Sequence, residues 1–228
     1  MLAIVTCVNY DDFLRITLPR TLETFDEVLV VTTLEDNRTR NHVKRLRKGL
    51  GRKLMCWPTH AFHRHHATFN KGAALDEAIA CSHGDWICVL DADILLPAKL
   101  DLSGIQRGCL YSPRRRMMWD QGPIPPESEW NALEHGPEDK NGILFRHQFG
   151  SGVGYAGYFH LFHADDLGPL PWYEGDTWKS AQGCDTEFTM RWPSQQFRRP
   201  PFEVLHLGQP RVNWNGRVSE RWDDKSTG

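Results

Sequence analysis

The stretch FNKGAALDEAIACSHGDWICVLDADILLP, from Phe69 to Pro97, decides the fold of this chain. Asn70, Lys71 and Gly72 make a turn that carries an amide, a cation and a flexible backbone. Ala73, Ala74, Leu75, Ala78 and Ile79 then recur at helical spacing. His83-Gly84 breaks that helix, and Trp86, Ile87, Cys88, Val89 and Leu90 form a short apolar run, as a parallel strand covered on both faces requires. The strand runs into Asp91 and Asp93, at the carboxyl end where open α/β sheets bind ligands. Residues two apart on a strand share a face, so these carboxylates repel unless a divalent cation sits beside them. Hard oxygen donors of this kind suit Mg²⁺ or Mn²⁺, ions that bridge to substrate phosphates.

Working outward, the chain upstream alternates strand and helix. Strands are expected over 2–8, 27–32 and 53–57. A helix carrying Phe13, Ile16, Leu18 and Leu22 follows the first strand, with Pro19 limiting or kinking it, and a basic helix covers 39–50. Strands separated by helix-length segments imply a parallel sheet with right-handed crossovers. Beyond Asp101 the pattern loosens: Pro123, Pro125, Pro126 and Pro137 mark an irregular excursion of the kind that forms acceptor sites. From Val218 onward the chain reads as a polar, disordered tail.

Composition sets limits. The 228 residues are 40% hydrophobic and 25% charged, as in a soluble globular protein, with a net charge of −2 that provides no global basic field. Six cysteines, widely spaced and without a CxxC, suggest a reducing compartment rather than a disulfide framework. No stretch reaches the ~18–20 apolar residues of a membrane span. These features point to the cytoplasm. His60, His63, His65 and His66 form a histidine-rich loop, but without fixed geometry it is a poor zinc site. The glycines of FGSGVGYAGYFHLF lack the βαβ context of a dinucleotide or phosphate loop; small residues there let backbone approach a sugar or a neighbouring strand.

The order NKG, helix, apolar strand, DAD and proline resembles the nucleotide-sugar-binding half of GT-A glycosyltransferases of the family 2 type, matching at Asn70, Lys71, Gly72, Ala74, Asp91, Ala92 and Asp93. A second stretch, QGCDTEFTMRW at 182–192, is similar to that family's G-E-D-x-D-L-x-x-R helix start through Gly183, Asp185, Glu187, Phe188 and Arg191. Cys184 departs from it, standing where the family has Glu. A third, VLHLG at 204–208, places His206 where such enzymes supply a further metal ligand.

The resemblance implies an α/β fold of GT-A type, Rossmann-like, with a mostly parallel central sheet, flanking helices and an irregular acceptor-side C-terminal lobe. It implies one domain over 1–217, with a nucleotide-sugar half at 1–100 and an acceptor half at 101–217, then a tail at 218–228. The implied activity is metal-dependent, inverting transfer from a nucleotide-diphosphate sugar, a UDP-sugar, to an acceptor hydroxyl. Mn²⁺ or Mg²⁺ would be held by Asp91, Asp93 and His206, with Asp185 as catalytic base. Thr6, Asp36, Asn70, Lys71, Gly72, Asp91 and Ala92 would line the donor site.

Each residue also has a plainer reading. Asp185 can cap a helix, His206 can fill a core, Lys71 can be a solvated helix-start lysine and Asp36 a turn residue. The acceptor stays open among glycan, lipid-linked sugar, protein and DNA. Three other activities remain: a DNA-modifying glycosyltransferase acting on hydroxylated bases, a nucleotidyltransferase, and a non-catalytic nucleotide-sugar-binding module.

Overall fold

The apolar runs assemble into a seven-stranded mixed sheet. In this computed structural model, which describes residues 1–136, 145–146, 153–154, 157–173, 179–208, 213 and 215–222, β1 (Leu2–Thr6) is the third strand from one edge. β2 (Glu27–Thr32) pairs parallel with β1 on one side, and β3 (Leu54–Pro58) lies parallel beyond it. On the other side β4 (Trp86–Asp91) pairs parallel with β1, in a register that sets Thr6 opposite Asp91. After β5 (Ile94–Leu95), β6 (Leu110–Tyr111), β7 (Arg114–Met118), β8 (Phe145–Arg146) and β9 (Val153–Gly154), the strand β10 (Phe159–His163) returns antiparallel beside β4. β10 also pairs antiparallel with β6, and β11 (Phe197–Arg198) runs parallel to β6 at the edge. The main sheet therefore reads β3-β2-β1-β4-β10-β6-β11. This mostly parallel sheet with flanking helices is the expected α/β architecture.

Alternation along the strands explains the layering, because successive side chains leave a strand on opposite faces. Ala3, Val5, Val28, Val30, Cys88 and Leu90 face α1 (Asp11–Thr24) and α2 (Asn37–Leu50), which bury Leu14, Leu18 and Val43 there. Leu2, Ile4, Leu29, Val31, Ile87 and Val89 face α3 (Lys71–Ala80) and α4 (Cys184–Met190), which contribute Ala74, Leu75, Ala78 and Phe188. Helix α1 continues through Pro19 instead of ending there. Arg15, whose carbonyl loses its helical donor, and Pro19 both face solvent, where water can satisfy the orphan group.

A second sheet organises the far side of the cleft. β12 (Glu203–Leu207) is sandwiched between β5, antiparallel, and β7, parallel. Strand β5 begins one residue after Asp93, and the Leu207 amide donates to the Asp93 carbonyl at 2.9 Å. The third pair, β8 with β9, is antiparallel. Among the described residues no helix is long and apolar enough to cross a membrane.

The expectation of a disordered tail from Val218 needs correction, since residues 215–222 dock onto the start of α1. Arg217 grips both oxygens of Asp12 at 2.5 and 2.8 Å, and Arg221 donates to Asp11 at 2.8 Å. The Trp222 ring lies 5.6 Å from the Phe13 ring and is buried. An RxxxRW spacing with two acids at a helix start is legible only once both ends are in contact. Residues 223–228 lie outside the described residues. Trp222→Ala removes this apolar anchor and should cost about 3 kcal/mol, lowering Tm by about 6–12 °C in a chain of this size. A melting curve identical to that of the parent would show that the segment does not pack in solution.

Candidate functional site

Two glycines let three elements meet at the carboxyl end of β4. Asn70 caps α3 by accepting from the Ala73 amide at 2.9 Å, which leaves Lys71 at the first helical position. A Cβ on Gly72 would come within 2.7 Å of the Tyr173 carbonyl and 3.2 Å of the Cys184 Cβ, so α3 starts hard against α4. A Cβ on Gly157 would lie 1.7 Å from the Asp185 Cγ, because the Asp185 carboxylate rests directly on the Gly157 backbone.

Lys71 occupies the space so created, with its side chain only 7% exposed. Its Nζ lies 2.7 Å from Asp91 Oδ1 and 3.5 Å from Asp185 Oδ1, and donates to the Gly157 carbonyl at 3.3 Å. The Thr6 hydroxyl donates to the same Asp91 oxygen at 3.1 Å. Burial opposes a charge on Lys71, but the Asp185 and Asp91 carboxylates outweigh it and hold its pKa above the usual lysine range. Asp91 itself is pushed up, chiefly by desolvation and further by Asp93 and Asp185, against the pull of Lys71.

Asp93 faces a different set of partners. His206 Nε2 lies 3.3 Å from Asp93 Oδ2, and Arg115 Nη1 lies 2.7 Å from His206 Nδ1. A guanidinium only donates, so Nδ1 accepts and the ring proton is assigned to Nε2, facing Asp93. The Arg115 guanidinium in turn sits 4.5 Å over the Tyr158 ring. Desolvation works against the Asp93 charge, yet His206 and Arg115 hold its carboxyl below the usual range. Asp93 Oδ1 is buried without a hydrogen-bond partner.

That orphaned oxygen fits a hard cation. The rest of the expected ligand trio is not preassembled. Asp91 is turned to Lys71 and Thr6, His206 presents a proton to Asp93, and among the described residues no group of three His, Cys, Asp or Glu is arranged to hold a metal. Asp91 engages Lys71 and Thr6 through Oδ1, whereas His206 can turn a bare nitrogen to an ion beside Asp93 only by releasing Arg115.

Other expected residues have backbone tasks here. Asp36 caps α2 through the Thr39 amide at 3.1 Å, while its second oxygen accepts from the Asn9 amide at 2.7 Å and the Thr32 hydroxyl at 3.2 Å. Both oxygens are thus engaged, and the residue is buried. The Ala92 carbonyl accepts from Thr17 at 2.8 Å, tying the DAD turn to α1. Cys184, which departs from the family pattern, is fully buried with its thiol donating to the Ala181 carbonyl, in a space shared with Gly72.

Sequence reasoning missed Arg115, Gly157 and Tyr10. Arg115 looked like one of three consecutive arginines. Gly157 was visible only as part of a glycine-rich string, of which 149–152 and 155–156 lie outside the described residues. Tyr10 is close enough to Asp93 that burial and then the Asp93 charge push its phenol up. His63, His65 and His66 lie exposed on a 3-10 turn that His60 precedes and that packs against α3, its Phe62 carbonyl accepting from the Asn70 amide at 2.6 Å.

Residues 2–106 match the family model described as glycosyl transferase family 2. No curated protein matches the chain. Solved structures with likeness include residues 1–349 of TarS from S. aureus, at 12% identity and TM-score 0.47 over 91% of this chain. They also include the glycosyltransferase GlyE of Streptococcus pneumoniae TIGR4, at 12% identity and TM-score 0.47 over 88%. A third is glucosyl-3-phosphoglycerate synthase from Mycobacterium tuberculosis in complex with Mn²⁺, uridine diphosphate and glucosyl-3-phosphoglycerate, at 12% identity and TM-score 0.45 over 93% of this chain and 71% of that one. This chain spans 60% of the TarS chain and 45% of the GlyE chain. Likeness at this level does not extend to individual residues of the site.

Lys71→Met leaves two carboxylates facing each other without their shared cation. The expected loss is about 2 kcal/mol near neutral pH, less than for a fully enclosed pair because Asp91 and Asp185 keep some solvent contact. The loss should shrink as pH falls toward about 4 and Asp91, with its raised pKa, takes up a proton. Denaturant unfolding at both pH values checks this; an equal loss at each would mean that packing rather than charge is what Lys71 contributes.

Proposed function

We propose, from the match of residues 2–106 to the model of glycosyl transferase family 2, that this chain is a metal-dependent, inverting glycosyltransferase moving a sugar from a UDP-sugar to an acceptor hydroxyl. The observation that carries the reading is the single ammonium shared by Asp91, at the end of β4, and Asp185, at the start of α4. An acid from the nucleotide-binding half and an acid from the later lobe face one cleft, as donor and acceptor chemistry on one sugar requires.

In this reading Thr6 and the Asp36 loop border the nucleoside at the carboxyl ends of β1 and β2. Asn70 and Gly72 hold the turn from which Lys71 reaches the diphosphate as a point charge. Asp93, with Asp91 and His206, would hold Mn²⁺ or Mg²⁺, and the imidazole favours Mn²⁺. An ion so held would supply positive charge to offset that developing on a departing nucleoside diphosphate.

Asp185 accepts the proton of the acceptor hydroxyl as that oxygen forms its bond to the anomeric carbon. The bond from that carbon to the phosphate oxygen breaks, and its electron pair leaves with the nucleoside diphosphate. Attack from the face opposite the leaving group inverts the anomeric configuration. Gly157 keeps Asp185 in place, because any side chain there would collide with the carboxylate. The acceptor is a hydroxyl on a glycan, a lipid-linked sugar, a protein or DNA.

Asp185→Asn should leave UDP-sugar affinity within about twofold while lowering kcat by a factor of about 10²–10⁴, the usual worth of a positioned base. Turnover at the parental rate would remove Asp185 from that role. Asp93→Ala should abolish the Mn²⁺-dependent part of UDP binding in titration calorimetry. Identical heats with and without Mn²⁺ in the parent protein would instead argue against a metal-dependent donor site.

A further inference from the structure

The segment NRTRNHVKRLRKGLGRK, from Asn37 to Lys53, holds eight cations and no acidic residue. It contributes +8 to a chain whose net charge is −2. Charge in this molecule is therefore strongly segregated, and almost all of the segment is helix α2.

The buried side of α2 is set by Thr39 and Val43, with Leu46 and Leu50 packed beside them against the sheet core. The opposite side presents Arg38, Lys44, Arg45, Arg47 and Lys48 to solvent, and Arg52 is exposed just past the helix end. No large apolar side chain lies on that arc. Among the described residues none of the eight cations enters an ion pair with a carboxylate; Arg40 and Arg45 bond backbone carbonyls instead. Lys44 and Lys48 are four apart, and Arg45 and Lys48 three apart, spacings at which like charges destabilise a helix. The fold thus maintains an electrostatic repulsion that an anionic partner would relieve.

Shape narrows the partner. Helix α2 is about 21 Å long and lies flat on the sheet, with α1 beside it and the edge strand β3 beneath. Its exposed arc therefore runs along the length of the helix, level with the surrounding surface. A planar surface of anionic headgroups reaches the whole exposed arc at once, by charge alone and without insertion. We propose that α2 docks this protein on anionic lipid membranes as a peripheral, electrostatic contact. The inference goes beyond the catalytic reading and does not depend on it. Asp36, which caps α2, also bonds the loop after β1, so the cleft end of the sheet lies at the rim of the docked face rather than beneath it.

Co-sedimentation of the whole chain with vesicles tests the proposal. Vesicles of phosphatidylcholine mixed with phosphatidylserine should retain the protein at low salt and release it at about 0.5 M salt, while phosphatidylcholine alone should not bind it. The double variant Arg45→Gln, Lys48→Gln should partition about 30-fold more weakly, at roughly fivefold per cation removed, with an unchanged melting temperature. Absence of binding to the mixed vesicles, or equal binding by the variant, overturns the proposal. Retention on duplex DNA at the same salt as tight as on mixed vesicles also overturns it and assigns the face to nucleic acid.

Discussion

An ammonium group enclosed by protein holds this structure's cleft together. Burial works against the charge of Lys71, and only nearby counterions offset it. Asp91 and Asp185 supply the compensation, so the end of β4, the start of α3 and the start of α4 are locked to one nitrogen. The requirement for glycine at 72 and 157 follows from the same crowding. Each lets backbone come so close that a methyl group would strike Tyr173 or the Asp185 carboxylate. An assembly of this kind has little slack, and any ligand that enters it must replace what it displaces.

The two acids of the DAD turn, separated only by Ala92, are driven in opposite directions. Asp91 is pushed up by desolvation and by neighbouring carboxylates, whereas Asp93 is held down by His206 and Arg115. Position along the strand does not explain this; the partners do. Strand β5 leaves the turn immediately and pairs with β12, which delivers His206 to Asp93 but not to Asp91. Paired acids with separated proton affinities are a recurrent feature of functional sites. Here Asp93 keeps an open buried oxygen while Asp91 is bound through Oδ1 to Lys71.

Surface charge follows the same economy of placement. Acids at the start of α1 are neutralised by Arg217 and Arg221 from the end of the described chain, and Arg217 also lies over the Tyr10 ring near the cleft. The cations of α2 have no such partners among the described residues. On one face of the sheet, then, α1 is internally balanced and the neighbouring α2 is not.

Much of the N-terminal half was readable from residue patterns. Covered parallel strands need apolar runs, and α2 and α3 begin where Asp36 and Asn70 can cap them. The DAD turn at a strand end was legible for the same reason, local chemistry specifying local conformation, whereas the acid at 185 was read from the family resemblance. Partner choice was not legible. That Lys71 joins Asp91 to Asp185, that Arg115 rather than its two neighbours reaches His206, and that residues 215–222 fold back onto α1 all depend on segments far apart in the chain. Such contacts exist only where packing of the two sheets brings them within a few ångströms, and no local pattern encodes that distance.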